Sequence, residues 1–385
     1  EVEEGLHAGL DITGGSDDLL LGVHAPHPTT DPGRRAAAGS VPGALFAQAL
    51  TAKMPGMTRV YYSNSGSEAN EKVYKMVRQI AARQHGGRKW KILYRDRDYH
   101  GTTIGTLATS GQDQRAMQYG PYPDGFVRVP HCLEYRKQWD VENYGERAAD
   151  AIEEVILREG PDTVGCLVLE PVTAGGGVIT PPEGYWQRVQ EICRKYDILL
   201  HIDEVVCGLG RTGTWFGYQH YGIQPDIVTM AKGVASGYAA ISCTVTTEAV
   251  FEMFKDAPED SMSYFRDIST FGGCTSGPAA ALENMRIIEE EGLLENTVAM
   301  GERLVGNLRE AAGLDDLDLT TDEEGNVSVR AGRYLSRNLY SDVEVDAEGR
   351  SRINLNLDVN NAITARGSVA SDGESTLGVF YERDY

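Results

Sequence analysis

The feature that most constrains this chain is a regular alternation of short apolar runs with amphipathic helical patterns through its middle. Residues 60–63, 92–94, 164–170, 198–203, 227–230 and 240–245 read as buried strands. Between several of them the apolar positions recur at helical spacing: Ala69, Val73, Val77 and Ile80 share one face, as do Val189, Cys193 and Tyr196, and Ile152 and Ile156. Strands apolar on both faces, separated by helices, predict a mostly parallel sheet covered on either side, a three-layer α/β/α architecture. Ligands of such sheets bind beyond the carboxyl ends of the strands, so polar residues at those ends deserve scrutiny.

The ends of the chain differ from its middle. Residues 1–41 are rich in Gly, Asp, His and Pro and form a divergent segment of weak periodicity. Residues 42–290 carry the strand–helix alternation of a large domain. Residues 291–385 are expected to form a smaller α+β portion, divergent after about residue 312. There, 352–359 alternates polar and apolar residues and predicts one half-buried strand, while the stretch from about Arg366 is expected to be flexible.

Three polar sites fall where the alternation puts strand ends and a helix start. Ser65-Gly66-Ser67-Glu68 follows a strand and opens an amphipathic helix, with Ser65 and Glu68 at capping-box spacing. Unpaired amides at a helix N-terminus attract anions; Gly66 lets the backbone come close to a phosphate, and Ser67 adds a hydroxyl. Read alone, the same residues also describe a capped helix without ligand. Asp203 ends an apolar strand, where a buried carboxylate needs a cation: a protonated pyridine nitrogen or a structural Arg. Lys232 directly follows another apolar strand, where partial desolvation would make its amine nucleophilic toward an aldehyde; a snorkelling lysine is the structural alternative. A phosphate seat, a carboxylate for a ring nitrogen and an amine for an aldehyde are together the requirements of pyridoxal 5′-phosphate (PLP).

With those residues in view, the middle of the chain closely resembles the class III (ω-amino acid) aminotransferases, PLP enzymes of fold type I. The likeness is carried by Tyr62-Ser63-Asn64-Ser65-Gly66-Ser67-Glu68-Ala69-Asn70, Tyr99-His100-Gly101-Thr102-Thr103, Leu169-Glu170-Pro171-Val172, Asp203-Glu204-Val205, Ala231-Lys232-Gly233 and Ser269-Thr270-Phe271-Gly272-Gly273. The resemblance covers roughly residues 42–312. It implies that Lys232 carries the cofactor and moves protons, that Asp203 holds the ring nitrogen, and that Tyr99 and Val205 pack on opposite ring faces. It further implies that His100 and Glu170 lie beside the cofactor and that Thr270 reaches the phosphate of a neighbouring subunit in a homodimer. Gly175 stands where many members have a second Glu, and Cys274-Thr275 where many have Asn-Pro. The Gly175 departure implies a different handling of the two substrates, and the Cys274-Thr275 variant resembles the subgroup that moves an amino group from taurine-like ω-amino compounds to pyruvate. The expected partners are thus a small amine donor and a keto-acid acceptor. A decarboxylase, aminomutase or racemase of the same fold, or a PLP-binding protein of little activity, remains the alternative.

Other classes fit poorly. A formal net charge of −21 repels a phosphate backbone, so nucleic acid is not an expected partner. The six cysteines show no paired spacing, which suggests a reducing compartment without disulfides or a zinc site. Neither a basic-then-apolar leader nor an apolar run of membrane-spanning length is present, making the cytoplasm the expected location. Gly208-Leu209-Gly210-Arg211-Thr212-Gly213 satisfies a dinucleotide-binding pattern, but aromatic Trp215-Phe216-Gly217-Tyr218 follows where a small-residue helix is required.

Overall fold

The computed structural model describes residues 40–385 apart from 136–137, 140, 255–264, 266, 313–315, 322–326, 337, 346–349, 361–362, 372, 374 and 382–385. Of the N-terminal segment 1–41 set apart in the sequence, residues 1–39 lie outside the described residues. Seven strands build the larger sheet: β1 (Met57–Ser63), β2 (Lys91–Arg95), β3 (Phe126–Val129), β4 (Val164–Leu169), β5 (Leu199–Asp203), β6 (Ile227–Met230) and β7 (Ser242–Thr247). Their order is β1-β7-β6-β5-β4-β2-β3. Strands β3, β2, β4, β5 and β6 are parallel neighbours, and β7 runs antiparallel to both β6 and β1. Six of these strands coincide with the apolar runs of the sequence. The seventh, β3, is short and carries Arg128 among apolar residues, so it gives no run long enough to stand out.

The helices are α1 (Val41–Ala52), α2 (Gly66–Gln84), α3 (Ile104–Leu107), α4 (Asp113–Ala116), α5 (Tyr144–Glu159), α6 (Tyr185–Lys195), α7 (Glu248–Glu252), α8 (Ser276–Glu290) and α9 (Leu293–Ala312). Successive strand residues point to opposite faces, and the core divides accordingly. On one face Leu167, Leu169, Leu200, Ile202 and Val228 pack with Ala148, Ile152 and Ile156 of α5 and Val189 and Cys193 of α6. On the other, Cys166, Val168 and Ile92 pack with Val73, Val77 and Ile80 of α2. Each predicted helical stripe is therefore a sheet-facing stripe, and the three-layer arrangement follows. Every fully buried Val, Leu or Ile in these layers is worth about 1.5–3 kcal/mol against exposure.

After α9 the chain forms a second, six-stranded sheet in which consecutive strands pair antiparallel. These are β8 (Asp316–Thr321), β9 (Val327–Ser336), β10 (Leu339–Val345), β11 (Ser351–Asn360), β12 (Ile363–Ala370) and β13 (Ser375–Tyr381). The single strand expected at 352–359 lies within β11. The stretch from about Arg366, expected to be flexible, instead completes β12 and forms β13. The reason for this correction is that hairpin pairing depends on backbone hydrogen bonds, which Asn, Ser and Gly supply as well as apolar residues do. The Tyr135 hydroxyl, on the larger unit, donates to Glu344 Oε1 of β10 at 3.1 Å.

Candidate active site

Strand β1 delivers the chain to the N-terminus of α2 at one rim of the larger sheet. Ser65 caps the helix: its backbone is extended and its hydroxyl accepts from the Glu68 amide at 3.2 Å. Glu68 folds back, but its carboxylate accepts from the Asn64 amide at 2.9 Å rather than from that of Ser65. Among the first-turn amides, those of Gly66 and Ser67 have no carbonyl one turn earlier to bond, so a helix of 19 residues presents them at its positive end. A Cβ on residue 66 would lie 3.0 Å from Val205 Cγ2 and 3.7 Å from Ala231 Cβ. That close approach brings the helix start, the residue two after Asp203 and the residue before Lys232 to one place. The Ser67 hydroxyl accepts from the Thr102 amide at 3.0 Å, joining the loop after His100 to the same spot.

Asp203 is the last residue of β5 and is almost fully buried. Its Oδ2 accepts from Asn70 Nδ2 at 2.8 Å and lies 2.8 Å from His100 Nδ1; its Oδ1 accepts from the Val205 amide at 3.0 Å. Burial pushes its pKa up, but the hydrogen bond from His100 and that ring's charge outweigh it and leave Asp203 below the usual carboxylate range. For His100 burial works downward, and the bond and charge of Asp203 reverse it to a net rise. The group that faces Asp203 within the chain is thus His100 rather than an Arg. A carboxylate has about four lone-pair positions, so these three donors leave one on Oδ1 for a further cation.

Strands β5 and β6 are paired with Asp203 opposite Thr229, so Lys232 lies just beyond the same rim. Lys232 has φ +41°, a left-handed backbone that a residue with a Cβ seldom adopts outside functional turns. Its side chain is exposed, so the desolvation expected from the sequence is not supplied by the described residues. Glu170 directly follows β4, the strand next to β5, and is buried. Its carboxylate accepts from the amides of Tyr99 at 2.8 Å and Ala174 at 3.1 Å. Burial, then the nearby Asp98, push its pKa up to about 8, with His100 opposing. Tyr99 is half-buried, and the Arg115 guanidinium lies 4.8 Å from its ring centre. Thr270 is exposed on a loop held to β1's end, where Asn64 Nδ2 donates to Ser269 Oγ at 3.4 Å. Ser65, Gly66, Ser67, Tyr99, His100, Glu170, Asp203, Val205 and Lys232 therefore gather along the carboxyl rim, and Thr270 sits on the loop tied to Asn64 through Ser269.

The residues that organise this rim were not all visible in the sequence. Arg95, at the end of β2, is fully buried and donates to Asp98 Oδ1 at 3.0 Å, the Glu170 carbonyl at 2.7 Å and Thr173 Oγ1 at 2.8 Å. It ties together the turns that carry Tyr99 and Glu170. Asn70 belongs to a quoted motif, but only the structure shows it bridging Asp203 and the His100 carbonyl. A polar residue next to the buried stripe of α2 was the available signal. The glycine-rich 208–213 stretch forms a turn closed by the Leu209 amide on the Trp215 carbonyl and leads into a short 3₁₀ turn, Gly217–Tyr221. It lacks the helix a dinucleotide site requires.

Comparison with known proteins agrees with this geometry. Residues 28–319 match the family model "Aminotransferase class-III". The chain belongs to the class III aminotransferases. Members of this family depend on PLP. This class III chain is 90% identical over 272 residues to a hypotaurine/taurine–pyruvate aminotransferase of Paracoccus denitrificans, a match covering 71% of the chain and 59% of that relative. It is 81% identical over 276 residues to a taurine–pyruvate aminotransferase of Rhodobacter capsulatus, covering 72% of the chain and 60% of the relative. The chain thus spans about three-fifths of the length of these curated relatives. Among solved structures, a Bacillus anthracis aminotransferase matches with a TM-score of 0.68 at 35% identity, over 77% of this chain and 66% of that one. An (S)-enantioselective ω-transaminase from Thermomicrobium roseum matches with a TM-score of 0.68 at 34% identity, over 76% and 65%. Residues 289–385 of this class III chain also match the family model "TamB C-terminal domain", which spans the second sheet.

Proposed function

We propose that this chain binds PLP at the rim described above and transfers an amino group from taurine or a related ω-amino compound to pyruvate. The observation that carries the reading is the meeting of the α2 N-terminus, Val205 and Ala231-Lys232 around the space a residue-66 side chain would fill. The residues fit the cofactor. The Gly66 and Ser67 amides, with the hydroxyls of Ser65 and Ser67 beside them, suit its phosphate, and the remaining Oδ1 lone pair of Asp203 suits its ring nitrogen. Tyr99 and Val205 offer an aromatic and an aliphatic surface for the ring faces. When bound, the cofactor supplies an electron sink for the bond to the migrating proton. The substrate reading draws on the taurine–pyruvate relatives.

Each residue then has a task. Lys232 provides the amine that attaches the aldehyde and, once released, takes a proton from the substrate carbon and returns it. The ionised Asp203, held by three donors, keeps a proton on the nitrogen it faces. Glu170, neutral below about pH 8, adds no negative charge beside that nitrogen at neutral pH. A homodimer brings Thr270, exposed on its loop, to the neighbouring subunit's phosphate. We divide the chain functionally at about residues 41 and 290, with cofactor binding in the part between. All six cysteines are free thiols, which supports a reducing, cytoplasmic setting. Among the described residues no helix is long and apolar enough to cross a membrane.

The test is a titration with PLP, followed by addition of taurine and pyruvate. The unaltered chain should develop visible absorbance, lose it with taurine and regain it with pyruvate; Lys232→Ala should show none of these changes. An Ala variant that turns over like its parent ends the proposal. One observation favours a second reading. Residues after about 312 form an antiparallel sheet that matches a different family, which suits a protein that holds the cofactor without turnover. Absorbance that develops but never responds to any amine decides for that reading.

A further inference from the structure

Behind Asp203, away from the backbone turn that leads to Val205, lies a line of three buried polar side chains that the transfer reaction itself does not call on. His201 Nε2 is 2.9 Å from Thr229 Oγ1, Thr229 Oγ1 donates to Asn70 Oδ1 at 2.8 Å, and Asn70 Nδ2 donates to Asp203 Oδ2 at 2.8 Å. None of the three is exposed to solvent. Their positions follow from the fold. His201 and Asp203 are two apart on β5 and share a face, Thr229 is the register partner of Asp203 on β6, and Asn70 is on the buried side of α2.

The direction of every bond in the line is fixed by counting protons. A threonine hydroxyl has one proton, and Thr229 gives it to Asn70. Its oxygen can then only accept from His201, so His201 must carry a proton on Nε2. Burial lowers the His201 pKa to about 3, which leaves the ring neutral with that single proton. His201 Nδ1 is accordingly bare, and it is buried without a hydrogen-bond partner. Asn70 spends both amide protons, one on Asp203 and one on the His100 carbonyl at 2.7 Å, so it cannot turn over without losing both. All dipoles in the line point the same way, and hydrogen bonds aligned in series polarise one another.

We propose that His201, Thr229 and Asn70 are positioning residues that form a one-way hydrogen-bond relay ending on Asp203, which stabilises its anion and so keeps the shared proton on the cofactor's ring nitrogen. This rests on the reading of Asp203 as the partner of that nitrogen. The titratable groups that act on Asp203, or on which it acts, are His100, His201, Glu170, Glu204, Tyr74 and Cys207. Of these, His100 holds the same oxygen as the relay and stays in place when the relay is cut.

The experiment follows the Asp203 carboxyl by ¹³C NMR in the full chain without added PLP, in the parent and in Thr229→Val, Thr229→Ser and His201→Leu. Thr229→Val should move the titration up by about one pH unit, the size expected from one hydrogen bond. Thr229→Ser should restore it, and His201→Leu should give a smaller shift in the same direction. The acid limb of the kcat/KM profile should move by the same amount. An unshifted Asp203 in folded Thr229→Val overturns the relay. If the valine variant does not fold, ¹⁵N shifts of the parent decide: a neutral His201 protonated on Nε2 supports the relay, and a proton on Nδ1 overturns it. A parent that never develops absorbance with PLP removes the cofactor reading alone, because the carboxyl titration is made without it.

Discussion

Gly66→Ala separates the cofactor site from the fold that carries it. The added Cβ would lie 3.0 Å from Val205 Cγ2 and 3.3 Å from Val205 Cγ1, tighter than usual contact, so the valine side chain must give by a few tenths of an ångström. Such a displacement costs about 0.5–1.5 kcal/mol. Replacing Gly by Ala in a helix returns about 0.5–1 kcal/mol, and residue 66 is the first of α2. The two effects nearly cancel, so the melting temperature without cofactor should hardly move. PLP affinity should not be spared, because the methyl occupies the space where a phosphate would meet the helix amides. Losing one charge-assisted bond there costs about 1.5–3 kcal/mol, or roughly 10- to 150-fold in Kd. The assay is a visible-absorbance titration with PLP beside a thermal melt of cofactor-free protein. A variant that melts like its parent and binds PLP as tightly refutes the assignment of the α2 N-terminus as the phosphate seat.

Three further outcomes follow from the same geometry. Asp203→Asn cannot accept all three of the present donors and leaves the buried His100 without its counter-charge; a buried pair broken in this way costs about 3–5 kcal/mol. His100 should escape by losing its proton, so its NMR titration should fall below the ordinary histidine range, and turnover should drop while some cofactor binding remains. Glu170 and Glu204 are pushed up to about 8 and about 7, both chiefly by burial. In the folded chain each keeps a proton that the unfolded chain loses near pH 4.3, so this contribution is full below that pH and fades as pH rises through 7 to 8. The unfolding free energy measured by urea titration should therefore fall between pH 5.5 and 8.5 by an amount on the order of a few kcal/mol, and a flat profile would contradict the burial of these carboxyls. Finally, if Thr270 completes a neighbour's site, PLP affinity should weaken on dilution in step with dissociation of the dimer measured by sedimentation, and an affinity independent of concentration would exclude a shared site.

The larger sheet was legible because its strands are buried on both faces and so stand out as apolar runs. The clustering of Ser65, Asp203 and Lys232 was legible because each follows or ends such a run. What the sequence hid was direction. Nothing in a string of letters says that Asn70 turns its amide toward Asp203, or that the side chain beside that carboxylate is His100, more than a hundred positions away. The exposure of Lys232 has a related reason: a strand end is buried only if another element covers it, and among the described residues none does. The second sheet was nearly invisible. Its strands contain Gly332 and Gly367 and many Asn, Ser and Asp residues, and single residues of that kind disfavour strands. Their ladders are set instead by each neighbour in the hairpin series.

If the chain pairs as the proposed homodimer, the exposure of Lys232 and that of the loops around it share one explanation. Tyr238 is 90% exposed, Ile268 99% and Phe271 66%, and all three lie on segments next to the Asn64–Ser65 turn or Lys232. A lone chain has no reason to leave that much aromatic and aliphatic surface beside a site whose chemistry benefits from excluding water. A second copy placed over this rim would bury those side chains and shield Lys232. The same contact would then supply the desolvation that the sequence predicted and the described residues do not provide. On this argument the lysine's reactivity belongs to the assembly, and a chain altered at Tyr238 and Phe271 to polar residues should keep its fold and its Asp203–His100 pair while losing the attachment of PLP to Lys232.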